Sequence, residues 1–477
     1  MRLAHFIHRY PPALGGAEAY FARLSRWCVQ QGDEVTVFTS NAQALEAFWS
    51  SDGTCLPEGV EDDAGVTVHR YPLWTMPGRR WLLKALSFFP NHLWQCLTMP
   101  CNPISSDMWH DAGNPKPRGE RSEPLGLRDA IPSPPAPLPE GEGRNARPFD
   151  AVHASAFPYA FPIVCARRLA RRLDIPLFIT PFLHLGDPDD PDDPTRRAYT
   201  SPELAWLLDE ADGVFVQTPS ERDAAIALGL APEKVVLQGL GIDAAECTGG
   251  DRFAARERWN IPPDAVVVGH LANNSWEKGT NDLLEAMTPL LSVGHVSNVP
   301  RSRVKGTLET CPTEIQVLLA GPQMPNFTQF WQSFKARVPS AARCVHQLGP
   351  ISDAEKRDFF AAIDIFALPS RSDSFGLVLL EAWANGVPNV GYRAGGVADV
   401  IRDNVDGLLV RCGDIDGLTR AIQRLADDID FRVRLGIDGK ARLSCDFRWA
   451  SKLALVRETI VSKSRKISTR HLANVVN

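Results

Sequence analysis

Two acidic side chains, Asp373 and Glu381, stand eight residues apart in a segment whose pattern could bind a polar ligand. Asp373 precedes a helix predicted to begin at Gly376, and Glu381 lies about a turn and a half inside it. The free N–H groups of such a helix face the crevice where open α/β sheets bind ligands. The spacing therefore predicts carboxylates that bind hydroxyl groups beside a helix start that binds phosphate. The alternative is that Asp373 only caps the helix and Glu381 is a solvated helix residue.

A pair of glycines, Gly15 and Gly16, stands between a predicted strand and a predicted helix near the start of the chain. Glycine lets the backbone approach a ligand closely, and the N–H groups of a helix start attract phosphate. We therefore predict a second phosphate contact at Gly16, with an ordinary turn as the alternative. The segment lacks the G-x-G-x-x-G fingerprint, which disfavours a nicotinamide-dependent oxidoreductase.

Short apolar runs alternate with helical patterns, and these elements must position the acids and the glycines. The predicted strands are 3–8, 34–39, 66–70, 177–180, 213–217, 235–237, 265–269, 315–321, 365–368 and 387–391. The predicted helices between and after them are 16–31, 156–173, 203–210, 220–228, 281–291, 354–362, 376–384, 416–427 and 430–445. The alternation predicts the α/β class, with two doubly wound, Rossmann-like parallel sheets.

Two segments interrupt this alternation and are interpreted as surface insertions. The first, 101–148, holds ten of the prolines of the chain, a composition that cannot bury a core. The second, 292–313, has no clear periodicity and is longer than an ordinary connection between a helix and a strand.

Composition excludes several function classes. The net charge is −6, so a general affinity for nucleic acid is not expected. The ten cysteines form no C-x-x-C pair, so neither a zinc site nor a redox motif is predicted, and reduced thiols favour a cytoplasmic protein. The first residues lack the apolar core of a signal peptide, and no run is long enough to span a membrane.

One apolar stretch, 81–99, carries Lys84, Pro90 and His92 among its apolar residues. We expect a helix of the core or of an acceptor groove here. Peripheral contact with the inner face of a membrane is the alternative.

The segment Asp373-Ser374-Phe375-Gly376-x4-Glu381 resembles the acid-x7-Glu signature of retaining GT-B glycosyltransferases of the family 4 type. Other matches to that family follow in the same order along the chain. They are Pro12-x2-Gly15-Gly16-Ala17-Glu18, Asp150-Ala151-Val152-His153, Gly241-Ile242-Asp243, Glu277-Lys278-Gly279, Ala320-Gly321-Pro322 and Gly395-Gly396. The resemblance covers about 1–75 and 149–450.

The resemblance implies a GT-B fold, in which two Rossmann-like domains face each other across a cleft. The first domain, 1–242, would bind the acceptor, and the second, 243–445, would bind a nucleotide-sugar donor. A helix within 446–477 would cross back to the first domain.

The resemblance also implies roles for individual residues. Glu381 would bind the ribose, Asp373 the donor sugar, and Lys278 the diphosphate, in the place of a metal ion. The backbone amides of Phe375, Gly376 and Leu377 would contact sugar and phosphate. Gly16 would close on the diphosphate from the first domain. His184 would lie beside the donor sugar, and His153 is a second candidate for a sugar or acceptor contact. Among these, His184, Lys278 and Asp373 are the expected catalytic residues.

Two departures from the family pattern concern the donor site. Asp373 stands where the family usually has glutamate and is one methylene shorter. The residues just before Lys278, from Gly269 on, include no arginine, although the family has one there to share the diphosphate charge. His270 could serve there if protonated, and Asn273 or Asn274 could donate neutral hydrogen bonds, both weaker than a bidentate arginine.

The expected function is a retaining, metal-independent glycosyltransferase that needs no cofactor besides its nucleotide-sugar donor. The acceptor would be a glycan, a lipid-linked molecule or a small molecule. A non-catalytic nucleotide-sugar-binding or scaffold protein and a nucleotide-sugar epimerase of the same fold are the alternatives. Sugar transfer to an added acceptor would exclude the first of them.

Overall fold

The computed structural model describes residues 1–50, 53–115, 147–292 and 315–476. In these residues two sheets, each covered by helices, form two lobes of the α/β class, as the alternation predicts. Most of both predicted insertions, 116–146 and 293–313, lies outside the described residues.

The first lobe is built on an eight-stranded sheet. Its strands are β1 (Arg2–Ile7), β2 (Glu34–Ser40), β3 (Gly59–Asp63), β4 (Val66–Tyr71), β5 (Ala151–Ala154), β6 (Leu177–Ile179), β7 (Gly213–Val216) and β8 (Val235–Leu237). They lie in the order β3-β4-β2-β1-β5-β6-β7-β8, and β3 alone among them is antiparallel to its neighbour. The central strands β5, β6 and β7 are buried throughout, which is why they appear as short apolar runs in the sequence.

Helices cover both faces of the first sheet. They are α1 (Gly16–Gln30), α2 (Arg79–Leu86), α3 (His92–Leu97), α4 (Ser106–Gly113), α5 (Ala160–Leu173), α6 (Pro194–Tyr199), α7 (Pro202–Asp209) and α8 (Pro219–Ala227). The stretch 81–99 forms two helices rather than one, because Pro90 has no N–H to continue a helix. The predicted insertion 101–148 does contribute to a core in its described part, because α4 lies within it and buries Met108.

The second lobe has a six-stranded, fully parallel sheet. Its strands are β9 (Val266–Leu271), β10 (Ile315–Ala320), β11 (Val345–Gly349), β12 (Ile365–Leu368), β13 (Asn389–Tyr392) and β14 (Gly407–Val410), in the order β11-β10-β9-β12-β13-β14. Its helices are α9 (Ala244–Cys247), α10 (Arg252–Arg258), α11 (Thr280–Ser292), α12 (Pro325–Arg337), α13 (Pro339–Ala342), α14 (Asp353–Ala362), α15 (Leu377–Ala384), α16 (Val397–Val400), α17 (Ile415–Asp427) and α18 (Ile429–Asp446). The loops that follow β9, β12 and β13 leave the same edge of this sheet.

The last helix, α19 (Trp449–Val476), packs on the first lobe. Arg457 on α19 pairs with the buried carboxylate of Asp33 at 2.5 Å, and the amino terminus of Met1 lies 2.7 Å from the same carboxylate. The backbone N–H of Ile242 donates to Phe447 at 2.8 Å, so the chain joins the lobes at two points. Within the described residues, the helices are too short or too polar to cross a membrane.

Candidate active site

Asp373 lies in the loop 369–376 between β12 and α15, which we call the acidic loop. Two glycines of a neighbouring loop hold Asp373 in place. The N–H of Gly396 donates to the backbone oxygen of Asp373 at 2.7 Å. A Cβ atom on Gly396 would fall 2.0 Å from the backbone oxygen of Ser374, and one on Gly395 would fall 2.4 Å from that of Asp373. The Gly395-Gly396 turn therefore packs directly against the acidic loop, and no side chain fits between them.

Lys278 reaches Asp373 from the loop after β9. Its Nζ lies 2.7 Å from Oδ2 of Asp373. Gly279, at φ +74, positions this loop, because a Cβ atom there would fall 1.8 Å from the backbone oxygen of Pro369. The N–H of Arg371 also donates to Glu277 at 2.9 Å. Two residues predicted from separate motifs are thus in direct contact.

The charge of Asp373 follows from this contact. Burial alone would raise the pKa of the carboxyl, but the Lys278 ammonium outweighs burial and holds that pKa below its ordinary value. Asp373 is therefore ionised at neutral pH. Its carboxylate binds Lys278 and does not cap α15, whose cap residue Gly376 makes no side-chain hydrogen bond.

His184 comes from the first lobe and contacts the same acidic loop. Its Nδ1 lies within hydrogen-bond distance of the backbone oxygen of Ser372. Because a carbonyl only accepts, Nδ1 carries the proton, and Nε2 is left as an acceptor. Burial, with the positive charge of Lys278, lowers the pKa of His184 to about 4. The imidazole is therefore neutral, and its ring lies 4.7 Å from that of Tyr199.

A second contact joins the lobes beside His184. The N–H of Gly395 donates to the backbone oxygen of Gly186 at 2.9 Å. A cavity of about 470 Å³ lies next to it, between α8 of the first lobe and the Gly395 loop of the second. The two lobes thus meet around the acidic loop rather than only at the chain crossover.

Glu381 lies on α15 and is paired with a lysine that the sequence reasoning missed. Nζ of Lys356, in the first turn of α14, lies 2.9 Å from Oε1 of Glu381. Burial raises the pKa of Glu381 above its ordinary value, and Lys356 offsets part of that rise. Burial would lower the pKa of Lys356, but the charge of Glu381 outweighs burial and raises that pKa. The sequence predicts α14 at 354–362, one residue short of its start, but no signal in it predicts that Lys356 meets Glu381 on α15.

The start of α15 offers backbone amides. Gly376 occupies the left-handed region at φ +83, which favours glycine. Phe375 is buried and packs edge-on against Phe447 at 6.0 Å, while Leu377 is half-buried. The amides of 375–377 therefore begin a helix that no side chain caps.

The glycine pair of the first lobe lies over a buried ion cluster. A Cβ atom on Gly15 would fall 2.1 Å from Oε2 of Glu18, whereas one on Gly16 would meet no atom within 4 Å. Oε1 of Glu18 accepts from Arg9 at 2.5 Å and lies 3.2 Å from Nε2 of His8. Burial would raise the pKa of Glu18, but His8 and Arg9 outweigh it and lower that pKa. Arg9 also donates to the backbone oxygen of Leu14, which fixes the loop.

His270 does not occupy the position that the sequence reasoning gave it. It is fully buried, with Nδ1 donating to Ala367 at 2.8 Å and Nε2 accepting from the Thr280 hydroxyl at 2.9 Å. Burial lowers its pKa to about 4, so it carries no charge for a phosphate. Asn274 is also buried and donates to the backbone oxygen of Gly321 at 3.0 Å. Asn273 is exposed.

His153 is a core residue of β5 rather than a group beside the acidic loop. Its Nε2 pairs with the Thr180 hydroxyl at 2.8 Å, and its ring packs edge-on against His5 and Phe215. Burial lowers its pKa well below the ordinary value. The predicted sugar or acceptor contact does not fit this position.

Arg371 is a cation of the acidic loop that the sequence reasoning did not consider. Its guanidinium lies over the Trp276 ring at 4.4 Å and pairs with Asp282. Tyr392 also donates to Asp282, at 2.9 Å. Arg371 therefore braces the Lys278 loop against α11. Across the described ranges, His, Cys, Asp and Glu side chains form no group of three that could hold a metal ion.

Family models match both lobes. Residues 15–241 match the glycosyl transferase 4-like domain, and residues 262–428 match the glycosyl transferases group 1 model. The first match includes Gly16 and His184, and the second includes Lys278, Asp373 and Glu381.

Sequence relatives carry related descriptions. The D-inositol 3-phosphate glycosyltransferase of Stackebrandtia nassauensis is 31% identical over 273 residues, which are 56% of this chain and 57% of that protein. The glycogen synthase of Mycobacterium tuberculosis is 28% identical over 331 residues, which are 68% of this chain and 71% of that protein. The chain thus spans less than two thirds of the length of the first relative.

Solved structures share the fold over nearly the whole chain. Anabaena Alr3699/HepE in complex with UDP-glucose aligns with 97% of this chain and 100% of its own, at a TM-score of 0.63 and 16% identity. The sucrose-phosphate synthase of Thermosynechococcus elongatus aligns with 97% and 98%, at a TM-score of 0.67 and 18% identity. The predicted GT-B architecture of two Rossmann-like domains is confirmed. With a match in each lobe, the chain combines a glycosyl transferase 4-like domain with a glycosyl transferases group 1 domain, and the Lys278–Asp373 contact lies inside the second match.

Proposed function

We propose that the protein is a retaining glycosyltransferase that moves a sugar from a nucleotide-sugar donor without a metal ion. The acceptor is a glycan, a lipid-linked molecule or a small molecule. The observation that carries the proposal is the contact of Lys278 with Asp373, on a loop that His184 reaches from the other lobe. It brings a cation, a carboxylate and a neutral imidazole to one place between the lobes.

Lys278 is suited to the donor diphosphate. An ammonium group has three donors, and one of them is directed to Asp373, so the others can bind phosphate oxygens. The amides at the start of α15 add the positive end of a helix dipole. Fixed donors of this kind stabilise the charge that develops on a departing nucleoside diphosphate, the role that a metal ion fills in other enzymes.

Carboxylates and the imidazole are suited to the hydroxyl groups of the donor. Asp373 binds Lys278 through Oδ2 and also contacts the Ser370 hydroxyl, and Oδ1 would accept a hydrogen bond from a sugar hydroxyl. Nε2 of His184 is a second acceptor, since Nδ1 holds the proton. Glu381, whose Oε1 is bound by Lys356, has Oε2 for the ribose hydroxyls.

The reaction would proceed on one face of the sugar. The bond from the anomeric carbon to the phosphate oxygen breaks, and the acceptor oxygen forms the new bond on the same face. The proton of the acceptor hydroxyl moves to the departing phosphate oxygen. Catalysis then rests on positioning and on charge stabilisation, and closure of the lobes over Gly16 would gate it.

The similar proteins suggest which donors and acceptors to test first. Alr3699/HepE was solved with UDP-glucose, which makes uridine diphosphate sugars the first class to try. The sequence relative that acts on D-inositol 3-phosphate suggests small phosphorylated polyols among the first acceptors.

A non-catalytic nucleotide-sugar-binding protein is the second candidate. Two observations favour it: the segment 269–277 just before Lys278 has no arginine, and the buried His270 supplies no charge in its place. The donor diphosphate would then be held by one lysine and the helix start. Such a site binds a donor but stabilises its departure less.

The test is turnover of UDP-, GDP- and ADP-sugars with a panel of acceptors, with and without EDTA. We expect one donor class to be consumed only with acceptor, with the anomeric configuration retained in the NMR spectrum of the product and with no effect of EDTA. The Lys278→Met variant should lose turnover, and Lys335→Met, an exposed lysine on α12, should keep it. Donor binding without turnover would select the binding protein, and donor isomerisation without acceptor would select the epimerase.

A further inference from the structure

The helices α2 and α3 carry a surface of exposed apolar side chains. Its members are Trp81, Leu86, Phe88, Phe89 and Trp94, which we name the aromatic surface. Trp81 is 76% exposed and Phe88 is 79% exposed. Large apolar groups grouped in this way mark a binding surface rather than the scattered exposure of an ordinary monomer.

The protein holds this surface in place. The indole Nε1 of Trp94 donates to the backbone oxygen of Leu86 at 2.9 Å, which ties α3 to α2. Below it, the buried Arg79 donates to Trp74 at 2.6 Å and also contacts the backbone oxygen of Asn102. Asn102 in turn accepts from the N–H of Phe161 at the start of α5. The aromatic groups are therefore displayed by an anchored segment and not by a loose loop.

The segment that carries the aromatic surface is itself positively charged. The segment 64–106 contains no aspartate or glutamate, in a chain whose net charge is −6. Arg80 and Lys84 are both exposed, and Lys84 lies over the Trp81 ring at 5.9 Å. Aromatic groups together with basic side chains are the signature of a helix that lies in a membrane interface. Two copies of this surface facing each other would bring like charges together, which disfavours a symmetric dimer.

The aromatic surface continues toward the cleft side of the first lobe. Arg80 lies over the Trp49 ring at 5.7 Å, and the neighbouring Phe48 packs against His8 at 6.1 Å. His8 contacts Glu18, beneath the glycine pair. A surface bound to α2 and α3 would therefore lie beside the mouth of the cleft.

We propose that the aromatic surface docks the protein peripherally on a bilayer that contains anionic lipids. Trp81, Phe88 and Phe89 enter the headgroup boundary, while Arg80 and Lys84 pair with lipid phosphates. Docking in this orientation presents the first lobe to acceptors held in the membrane. Only that last consequence rests on the proposed function; binding to the bilayer does not.

The experiment is co-sedimentation of the full chain with phosphatidylcholine vesicles, with and without phosphatidylglycerol. Wild type should bind the anionic vesicles, less strongly as salt is raised, because salt screens the basic side chains. The double variant Phe88→Ser/Phe89→Ser should lose at least about tenfold in the partition coefficient, since each aromatic ring contributes buried apolar area. Arg80→Gln/Lys84→Gln should weaken binding less and flatten its salt dependence.

A matched control is Phe253→Ser, which removes an aromatic side chain of similar exposure, 78%, from α10 of the second lobe. It should bind vesicles like wild type. No binding to anionic vesicles, or an equal loss in the Phe253→Ser variant, would overturn the proposal. So would a dimer in sedimentation velocity that the Phe88→Ser/Phe89→Ser variant abolishes, because the occupant would then be a second copy. Donor consumption with a water-soluble acceptor is measured on the same variants, so that failure of the proposed function is seen separately.

Discussion

Nζ of Lys278 lies 2.7 Å from Oδ2 of Asp373, although 95 residues separate the two in sequence. The contact exists because the loops after β9 and β12 leave adjacent strands of one parallel sheet. Carboxyl ends of such strands meet at a single edge, where ligands bind. The pairing keeps a carboxylate ionised and a cation oriented at the place where the proposed donor would enter.

The first prediction concerns Asp373. Asp373→Asn keeps the shape of the side chain but removes the charge, so the sugar hydroxyls lose their ionic acceptor. We expect affinity for the nucleotide sugar to fall by about 10- to 100-fold, close to that for the nucleoside diphosphate alone, since hydrogen bonds to charged groups contribute about 1.5–3 kcal/mol. Calorimetric titration with both ligands measures the difference. Asp373→Glu, which restores the charge, should retain most of the affinity; if both variants bind equally badly, Asp373 is only structural.

The second prediction concerns Lys356 as the residue that orients Glu381. Burial raises the pKa of Glu381, and Lys356 opposes that rise, so Lys356→Met should raise the pKa further. The carboxylate form is the one that accepts from ribose hydroxyls. As pH falls, Lys356→Met should therefore lose its affinity for the donor at a higher pH than wild type does.

Titrations of the nucleoside diphosphate and its 2′-deoxy analogue across pH test this. In wild type the deoxy compound should bind less tightly, and in Lys356→Met the difference should shrink. Lys356→Arg should restore both the pH profile and the discrimination. An unchanged profile in Lys356→Met would mean that the pair contributes only to folding.

The third prediction separates the two glycines of the first lobe. Gly16→Ala should leave the thermal midpoint nearly unchanged, because the new methyl group meets no atom within 4 Å. It should nevertheless reduce turnover if the donor diphosphate approaches this backbone. Gly15→Ala should lower stability by about 1–3 kcal/mol, since its methyl group would displace the buried Glu18. Thermal unfolding and initial rates on both variants check the contrast; loss of stability in Gly16→Ala would contradict it.

The fourth prediction concerns the attachment of α19 to the first lobe. Burial would raise the pKa of Asp33, but Arg457 and the amino terminus outweigh burial and lower it. A depressed pKa contributes stability that is complete above the ordinary carboxyl pKa and lost as pH falls toward the folded-state value. Arg457→Met should therefore lower the free energy of unfolding by about 1.5–3 kcal/mol at neutral pH, since the amino terminus still pairs with Asp33, and wild type and variant should converge in acid. Urea unfolding at several pH values gives both numbers; a constant gap down to the lowest pH would be inconsistent with the pair.

The elements that carry the chemistry could be predicted because their signals are local. Apolar runs located β9 and β12, and Gly376 marked the start of α15. The acid-x7-Glu spacing and the resemblance to one family then assigned Lys278 and Asp373 to the same donor, although not to each other. Parallel topology follows from the alternation of strands and helices, and it is this topology that brings the two loops to one edge of the sheet.

Tertiary environment could not be predicted from the sequence. His270 and His153 have the residue type of ligand-binding groups, yet their strands bury them, and burial keeps both neutral. The contact of Lys356 with Glu381 depends on how α14 packs against its neighbours. Edge strand β11 was missed because its half-buried His346 and Gln347 break the apolar run.

We propose that Lys278 and Asp373 form a donor site that needs no metal ion. The most direct measurement is calorimetric titration of the UDP-, GDP- and ADP-sugars in EDTA, on wild type, Lys278→Met and Lys335→Met. We expect one donor class to bind wild type and Lys335→Met equally, and to bind Lys278→Met at least about tenfold more weakly. Donor binding that requires added metal, or that survives unchanged in Lys278→Met, would contradict it.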